Sequence, residues 1–258
     1  MTQSKIKIYF LGTSGSTFTG RDFPPCIYVE GFLFDCPAQC PQKLAERGLL
    51  GSLHTVLLTH LHMDHSLGIY DLAWHLGTVM SERRLRLYLP ADGRETVSQG
   101  FKVLGGALSG KLLGFFEIIE VGDGFVDNGI KAVATQHSVP AVGYRLDIGD
   151  VSICYTGDTA PSEKVIEAFS GCSVLIHDST YPPGYEELAV RDGHSTPRQA
   201  AEVARLAKAQ LLVLVHLPYA RLGDRVGEEF LRTAKEIFPK VVVPEPGYVL
   251  ELGGASWR

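Results

Sequence analysis

The 258-residue chain has no uncharged apolar run of the length a membrane-spanning helix needs. It has no surplus of positive charge: 24 Lys and Arg stand against 29 Asp and Glu, a formal charge of −5. A domain that grips polyanions by bulk charge should be basic. Bulk nucleic-acid binding is therefore disfavoured, which still leaves room for a local basic patch. Cysteine is sparse and odd in number, five residues at 26, 36, 40, 154 and 172. That argues against a secreted disulfide framework and for a reducing cytoplasm. Cys36 and Cys40 have Cys-x-x-x-Cys spacing, but no second thiolate pair follows. They read as buried or interface thiols rather than a structural zinc site. There is no internal repeat, low-complexity tract or Ser/Gly linker, so a single domain over residues 1–258 is expected. The opening Met1-Thr2-Gln3-Ser4-Lys5 leads straight into a strand pattern and does not read as a signal peptide.

What is present is an ordinary globular composition, 45% hydrophobic and 21% charged, rich in turn formers with 28 Gly and 14 Pro. Short β-branched and aromatic runs predict strands at Lys5–Leu11, Phe32–Asp35, Thr55–Thr59, Leu85–Leu89, Phe116–Val121 and Ile130–Thr135. Further strands are predicted at Gly143–Ile148, Val151–Thr156, Val174–His177, Leu211–His216 and Tyr248–Leu252. Helical periodicity marks Gln39–Arg47, Asp64–Met80, Ser162–Phe169, Thr196–Lys208 and Gly227–Ile237. Ile148-Gly149-Asp150-Val151 is a hairpin turn. Strand-rich sheets with interposed helices suggest a layered α/β domain. Pattern alone leaves open a two-sheet sandwich or one mixed sheet. The Gly-rich stretch Ser98–Gly114 stays unassigned, either a helical hairpin or an interface element.

The densest chemistry is Thr59-His60-Leu61-His62-Met63-Asp64-His65. It follows Val56-Leu57-Leu58, a buried-strand pattern. At a strand's end the period of two points His60 and His62 the same way. Asp64, a good capping residue, and His65 would open a helix and return beside them. Such nitrogen and oxygen donors suit a divalent ion. The alternative is a polar loop that happens to hold three histidines. Three other strand patterns end in a possible ligand: His137, Asp158 after Gly157, and His216. Each alone is weak, because a single His after a strand is more often a hydrogen-bonded loop residue. Their joint occurrence with the first cluster carries the argument.

This set resembles the metallo-β-lactamase superfamily, with Asp35 in Leu33-Phe34-Asp35-Cys36 matching an early acidic motif. The resemblance implies a four-layer αβ/βα sandwich of two mixed sheets with a dinuclear site, usually zinc, with manganese or iron as alternatives. By motif, His60, His62 and His137 would bind one ion, Asp64, His65 and His216 the other, and Asp158 would bridge. Asp35 would orient a ligand histidine through its far ring nitrogen. Within the superfamily the chain is most similar to ribonuclease Z-like phosphodiesterases. The matching segments are Leu11-Gly12-Thr13-Ser14-Gly15 with Arg21, His137–Tyr144, and Gly193-His194-Ser195-Thr196. His177-Asp178-Ser179-Thr180 stands where those enzymes have His-Glu-Ala-Thr. The resemblance implies a metal-bridging hydroxide as nucleophile and His194 as general acid held by Asp178. Asp64 would take the water's proton, and Ser14, Arg21 and Arg221 would contact phosphate. His137 and Asp158 are only 21 residues apart, room for one hairpin and not for the long transfer-RNA-binding arm of ribonuclease Z.

The leading expectation is therefore a cytoplasmic dinuclear metal-dependent phosphodiesterase acting on a small phosphodiester or an RNA end. It would be a homodimer with no membrane partner. The alternatives are a ribonuclease Z-type transfer-RNA 3′-end endonuclease, an ester or lactone hydrolase, and a non-catalytic metal-binding scaffold.

Overall fold

Apolar runs buried on both faces build the two sheets of this protein, whose computed structural model describes residues 5–79 and 82–253. The chain-start reading at Met1–Ser4 and the helix end at Met80 lie outside the described residues. The chain divides into two compact units. The first holds Pro25–Val121 and the strands near both chain ends; the second holds Thr13–Pro24 and Gly122–Pro246.

In the first unit the strands are β1 (Ile6–Gly12), β2 (Cys26–Val29), β3 (Phe32–Phe34), β4 (Thr55–Leu57), β5 (Leu85–Pro90) and β6 (Phe116–Val121). In the second they are β7 (Val126–Asp127), β8 (Ile130–Ala134), β9 (Val142–Ile148), β10 (Val151–Tyr155), β11 (Val174–Asp178), β12 (Leu212–Val215) and β13 (Val241–Val242). β14 (Tyr248–Leu252) returns to pair with β1. The first sheet runs β14-β1-β2-β3-β4-β5-β6, the second β13-β12-β11-β10-β9-β8-β7. Each is mixed. In the first, β14, β1, β2 and β3 pair antiparallel and β3 through β6 parallel. In the second, β10 through β13 are parallel and β7 through β10 antiparallel. Strands in the parallel halves are covered on both faces, so they read as unbroken apolar runs such as Leu212-Val213-Leu214-Val215, all buried.

The first unit carries helices α1 (Cys40–Glu46), α2 (Met63–Ser66), α3 (Gly68–Val79), α4 (Gly93–Gly105) and α5 (Ser109–Leu113). The second carries α6 (Glu163–Ala168), α7 (Glu186–Arg191), α8 (Pro197–Leu206), α9 (Tyr219–Leu222) and α10 (Val226–Lys235). α8 shows why its residues form a helix. Thr196 and Gln199 make a reciprocal capping box, Pro197 takes the first turn, and Ala200, Ala201, Val203 and Ala204 supply the buried face. α8 and α10 pack their apolar stripes into one core with Phe169, Leu214 and Phe230. Among the described residues no helix is long and apolar enough to cross a membrane.

Three expectations need correction, and one stretch left open proves helical. Cys40 is not a thiol: it forms a disulfide with Cys26, against the reading of a purely reduced chain, while Cys36, Cys154 and Cys172 stay free and buried. The pairing was hidden because Cys26 opens β2, a strand that Pro24-Pro25 masked in the sequence. The single helix from Asp64 is two, α2 and α3, since Gly68 must sit against the carbonyls of Cys36 and Pro37, where a Cβ has no room. Asp64 is not the cap; His62 is, and Asp64 lies in the first turn. The unassigned stretch Ser98–Gly114 is the end of α4, a short turn and α5, with Phe101 and Leu112 buried.

Candidate metal centre

Most of the polar residues of interest follow the carboxyl ends of parallel strands, where α/β sheets place their ligands, and His137 follows the antiparallel strand β8. In the first unit, Asp35 follows β3 and Thr59-His60 follows β4. Asp35 has φ +55°, a left-handed conformation that a short Asp tolerates, and its side chain is fully buried. It accepts hydrogen bonds from Thr59 N (2.8 Å), the Thr59 hydroxyl (3.0 Å) and His65 Nδ1 (2.7 Å). His60 Nδ1 donates to the Thr59 hydroxyl at 3.0 Å. His60 Nε2 then stands 3.0 Å from His62 Nδ1, and His65 Nε2 stands 3.5 Å from Asp64 Oδ2. Two imidazole nitrogens so close require a shared proton or a cation between them. His60 and His62 lie beyond the end of β4 in the loop before α2, so loop geometry and not the strand period brings their rings together, 4.7 Å apart.

In the second unit, His137 follows β8, Asp158 follows β10, Asp178 ends β11 and His216 follows β12. His216 has φ +62°, a strained conformation for an imidazole that costs of order 1–3 kcal/mol and concentrates at functional sites. Asp158 Oδ2 lies 3.5 Å from His216 Nε2 and 4.0 Å from both His137 Nε2 and His194 Nδ1. Donor atoms of Asp158, Asp178, His194 and His216 all fall within 4.8 Å of one another. One carboxylate oxygen between two imidazole Nε2 atoms is the arrangement a bridging ligand needs. His137 Nδ1 donates to the Gly193 carbonyl at 2.9 Å. Gly193 has φ +76°, and a Cβ there would press on His137.

Asp178 is saturated with donors. It accepts from His194 Nδ1 (3.0 Å), Ser195 N (3.2 Å), Thr159 N (3.3 Å) and the Thr180 hydroxyl (2.5 Å). His194 stacks on His216 at 5.6 Å with 17° between the rings. Beside His137 lies an open groove of about 650 Å³ whose walls include Gln136, Ser138, Arg191 and Asp192.

The phosphate candidates separate. Ser14 is buried and its hydroxyl has no hydrogen-bond partner among the described residues. The preceding Thr13 carbonyl accepts from His216 N at 2.9 Å, so Ser14 lies next to the His216 segment. Arg221 is exposed on α9 and acts electrostatically on Tyr181, whose ring is 6.1 Å from His194. Arg21 faces elsewhere. Its side chain is 86% exposed, pairs with Asp224 at 3.6 Å and borders an acidic cavity of about 330 Å³. There burial pushes the Tyr219 phenol up to about 12, with Asp22, Glu245 and Asp224 adding to the effect.

Sequence reasoning gave no role to Thr59, Thr180 or the Gly193 carbonyl. The signal was available for the threonines, one directly before His60 and one after His177-Asp178-Ser179, but a hydroxyl's partner is invisible in a sequence. The donor set is imidazole and carboxylate without thiolate, which fits divalent zinc, manganese or iron.

Comparison with known proteins agrees. The β-lactamase superfamily domain matches residues 32–217. Ribonuclease Z of Methanosarcina acetivorans is 29% identical over 307 aligned residues, covering 96% of this chain and 98% of that protein. Ribonuclease Z of Methanopyrus kandleri is 30% identical over 293 residues, with 96% and 98% covered. Both aligned spans exceed the 258 residues of this chain, so these relatives carry segments it lacks. The metallo-beta-lactamase fold protein YhfI from Bacillus subtilis superposes with a TM-score of 0.81 at 21% identity, covering 96% of this chain and all of that one. Human tRNase Z, short form, gives 0.76 at 22% identity, covering 95% and 98%. Two mixed sheets flanked by helices, the expected fold class, are shared with these structures. The chain belongs to the β-lactamase superfamily and is a metal-dependent hydrolase among ribonuclease Z-like relatives.

Proposed function

We propose that this protein hydrolyses phosphodiester bonds, with RNA 3′ ends as the substrate class, as the name of its full-length relatives suggests. The observation that carries the reading is the His194–Asp178 pair at 3.0 Å beside Asp158. The proposed ligands are His60, His62, Asp64, His65, His137, Asp158 and His216, which would serve a pair of divalent ions, zinc by preference. Such ions, when bound, make water nucleophilic near neutral pH and stabilise charge on a phosphoryl oxygen.

The chain's own residues do the rest. Asp178 accepts from His194 Nδ1–H and favours the imidazolium form, whose Nε2–H would protonate the departing oxygen and leave the ring neutral. Asp64 accepts the proton of the attacking water. The Ser14 hydroxyl and the Arg221 guanidinium would engage phosphate oxygens. Arg21 would be the weakest phosphate contact of the three, since it borders the acidic cavity beside Asp224.

A second reading, a small phosphodiester as substrate, is favoured by one observation: only the β9–β10 hairpin lies between His137 and Asp158. A homodimer and a cytoplasmic setting belong to the same proposal. Trp74, Val103, Leu104 and Leu108 of the first unit are large apolar residues left exposed, and self-association would cover some of them. The Cys26–Cys40 disulfide is the feature a reducing compartment would remove.

The deciding experiment compares turnover of bis-p-nitrophenyl phosphate, a cyclic nucleotide and precursor transfer RNA with zinc or manganese added. Endonucleolytic cleavage of the RNA at its 3′ side supports the first reading, and turnover of only the small diesters supports the second. Hydrolysis of carboxyl esters alone would overturn both.

A further inference from the structure

One side-chain arrangement occurs twice, once in each unit. In the first, the Thr59 hydroxyl lies 3.0 Å and 3.1 Å from the two Asp35 oxygens and 3.0 Å from His60 Nδ1, while Asp35 itself takes His65 Nδ1 at 2.7 Å. In the second, the Thr180 hydroxyl lies 2.5 Å from Asp178 Oδ1, 2.6 Å from His216 Nδ1 and, more loosely, 3.2 Å from His194 Nδ1, while Asp178 takes His194 Nδ1 at 3.0 Å. Each is one carboxylate, one threonine and two imidazoles. Each threonine is the second residue beyond the end of a parallel strand, Thr59 after β4 and Thr180 after β11.

A hydroxyl has a single proton. At 2.5 Å from a carboxylate oxygen that proton lies between the two oxygens, as in a short charge-assisted bond. Towards the imidazole the hydroxyl oxygen can then only accept. The proton of His216 is thereby held on Nδ1, and its Nε2, 3.5 Å from Asp158 Oδ2, carries the lone pair. The same reasoning leaves the lone pair of His60 on Nε2, the atom that faces His62.

We infer that Thr59 and Thr180 are positioning residues: their hydroxyls relay the charge of Asp35 and Asp178 to His60 and His216 and lock the tautomer in which Nε2 binds metal. Each carboxylate thus serves two imidazoles, one directly and one through a threonine. The inference rests on the metal reading above and adds the selection of ligand tautomer to it.

The test uses the full chain carrying Thr→Ser, Thr→Ala and Thr→Val at position 59 or 180. Zinc affinity is measured by competition with a chromophoric chelator, and folding by melting of the metal-free protein. Ser keeps the hydroxyl and loses the methyl; Val keeps the shape and loses the hydroxyl. The relay requires Ser to bind zinc within about threefold of the wild type, and Val and Ala to bind about 10- to 100-fold more weakly. A packing role requires the reverse order, with Val close to wild type and Ser impaired, and that result overturns the inference. Should Val fail to fold, Ser against Ala still isolates the hydroxyl, and equal affinities overturn it. If the wild type holds less than one ion per chain, the metal reading itself fails, which is a distinguishable outcome.

Discussion

The residue that separates this hydrolase from a bare metal cage is His194. It is held by Asp178 at 3.0 Å and lies 4.0 Å from Asp158, and the proposed role for it is that of proton donor. His194→Ala is expected to keep the metal content and lower turnover about 100-fold or more, as loss of a general acid does. His62→Ala should instead abolish turnover and reduce bound metal. Elemental analysis beside steady-state rates separates the two; equal metal loss in both variants would make His194 a ligand. His177, next to Asp178, behaves differently. Burial lowers its pKa below the ordinary value of 6.5, although its Nδ1 donates to the Asp178 carbonyl at 2.8 Å. A depressed histidine stabilises the fold above its unfolded pKa and loses that stabilisation as pH falls through the folded one. Stability should therefore decline from about pH 6.5 downward. His177→Asn, which keeps a donor and cannot titrate, should show a smaller decline in thermal melts between pH 7 and 5.

At the scale of elements, site residues are held by strand ends and by what braces them. The turn after β3 carries Asp35 and Cys36; Cys36 N donates to the His65 carbonyl at 2.7 Å and Gly68 N to the Cys36 carbonyl at 2.8 Å. The disulfide ties the start of α1 to the start of β2 around this turn, with a sequence separation of 14. Closing a loop of that size is worth about 3 kcal/mol. Urea melts with and without reductant should differ by roughly that amount, and identical midpoints would show that the bond does not form in solution. Strand positions were largely legible in the sequence because the parallel halves are continuous apolar runs, as at Val174–Asp178. The elements that escaped notice were short or compositionally masked: β2 behind a proline pair, β7 and β13 of two residues each, α7 and α9, whose four to six residues carry too little periodicity, and α4, thirteen residues masked by Gly93, Gly100 and Gly105.

For the whole molecule, charge decides how it meets a polyanion. With a formal charge of −5 it has little long-range attraction for RNA, and its relatives carry segments it lacks. Binding of precursor RNA should therefore neutralise few phosphates, with a slope of log affinity against log salt of about −3 or shallower. A slope near −6 or steeper would reveal a basic grip formed from Lys and Arg that total charge conceals. Surface groups such as Lys164 with Asp123 or Arg198 with Glu236 are exposed pairs already neutralised in place.

The sequence by itself determined which atoms are available and where along the chain they fall. The histidine–aspartate cluster after a buried strand, the strand-end His137, Asp158 and His216, and the Gly149 hairpin were all readable there, because alternation and turn chemistry are local. Only the tertiary structure decided the partners. That Asp35 serves both His65 and Thr59, that Thr180 lies between Asp178 and His216, that Arg21 lies beside Asp224, and that Cys26 meets Cys40 all depend on segments brought together by packing. No local pattern encodes such distances, since one hydrogen-bonding side chain can satisfy any neighbour the fold supplies.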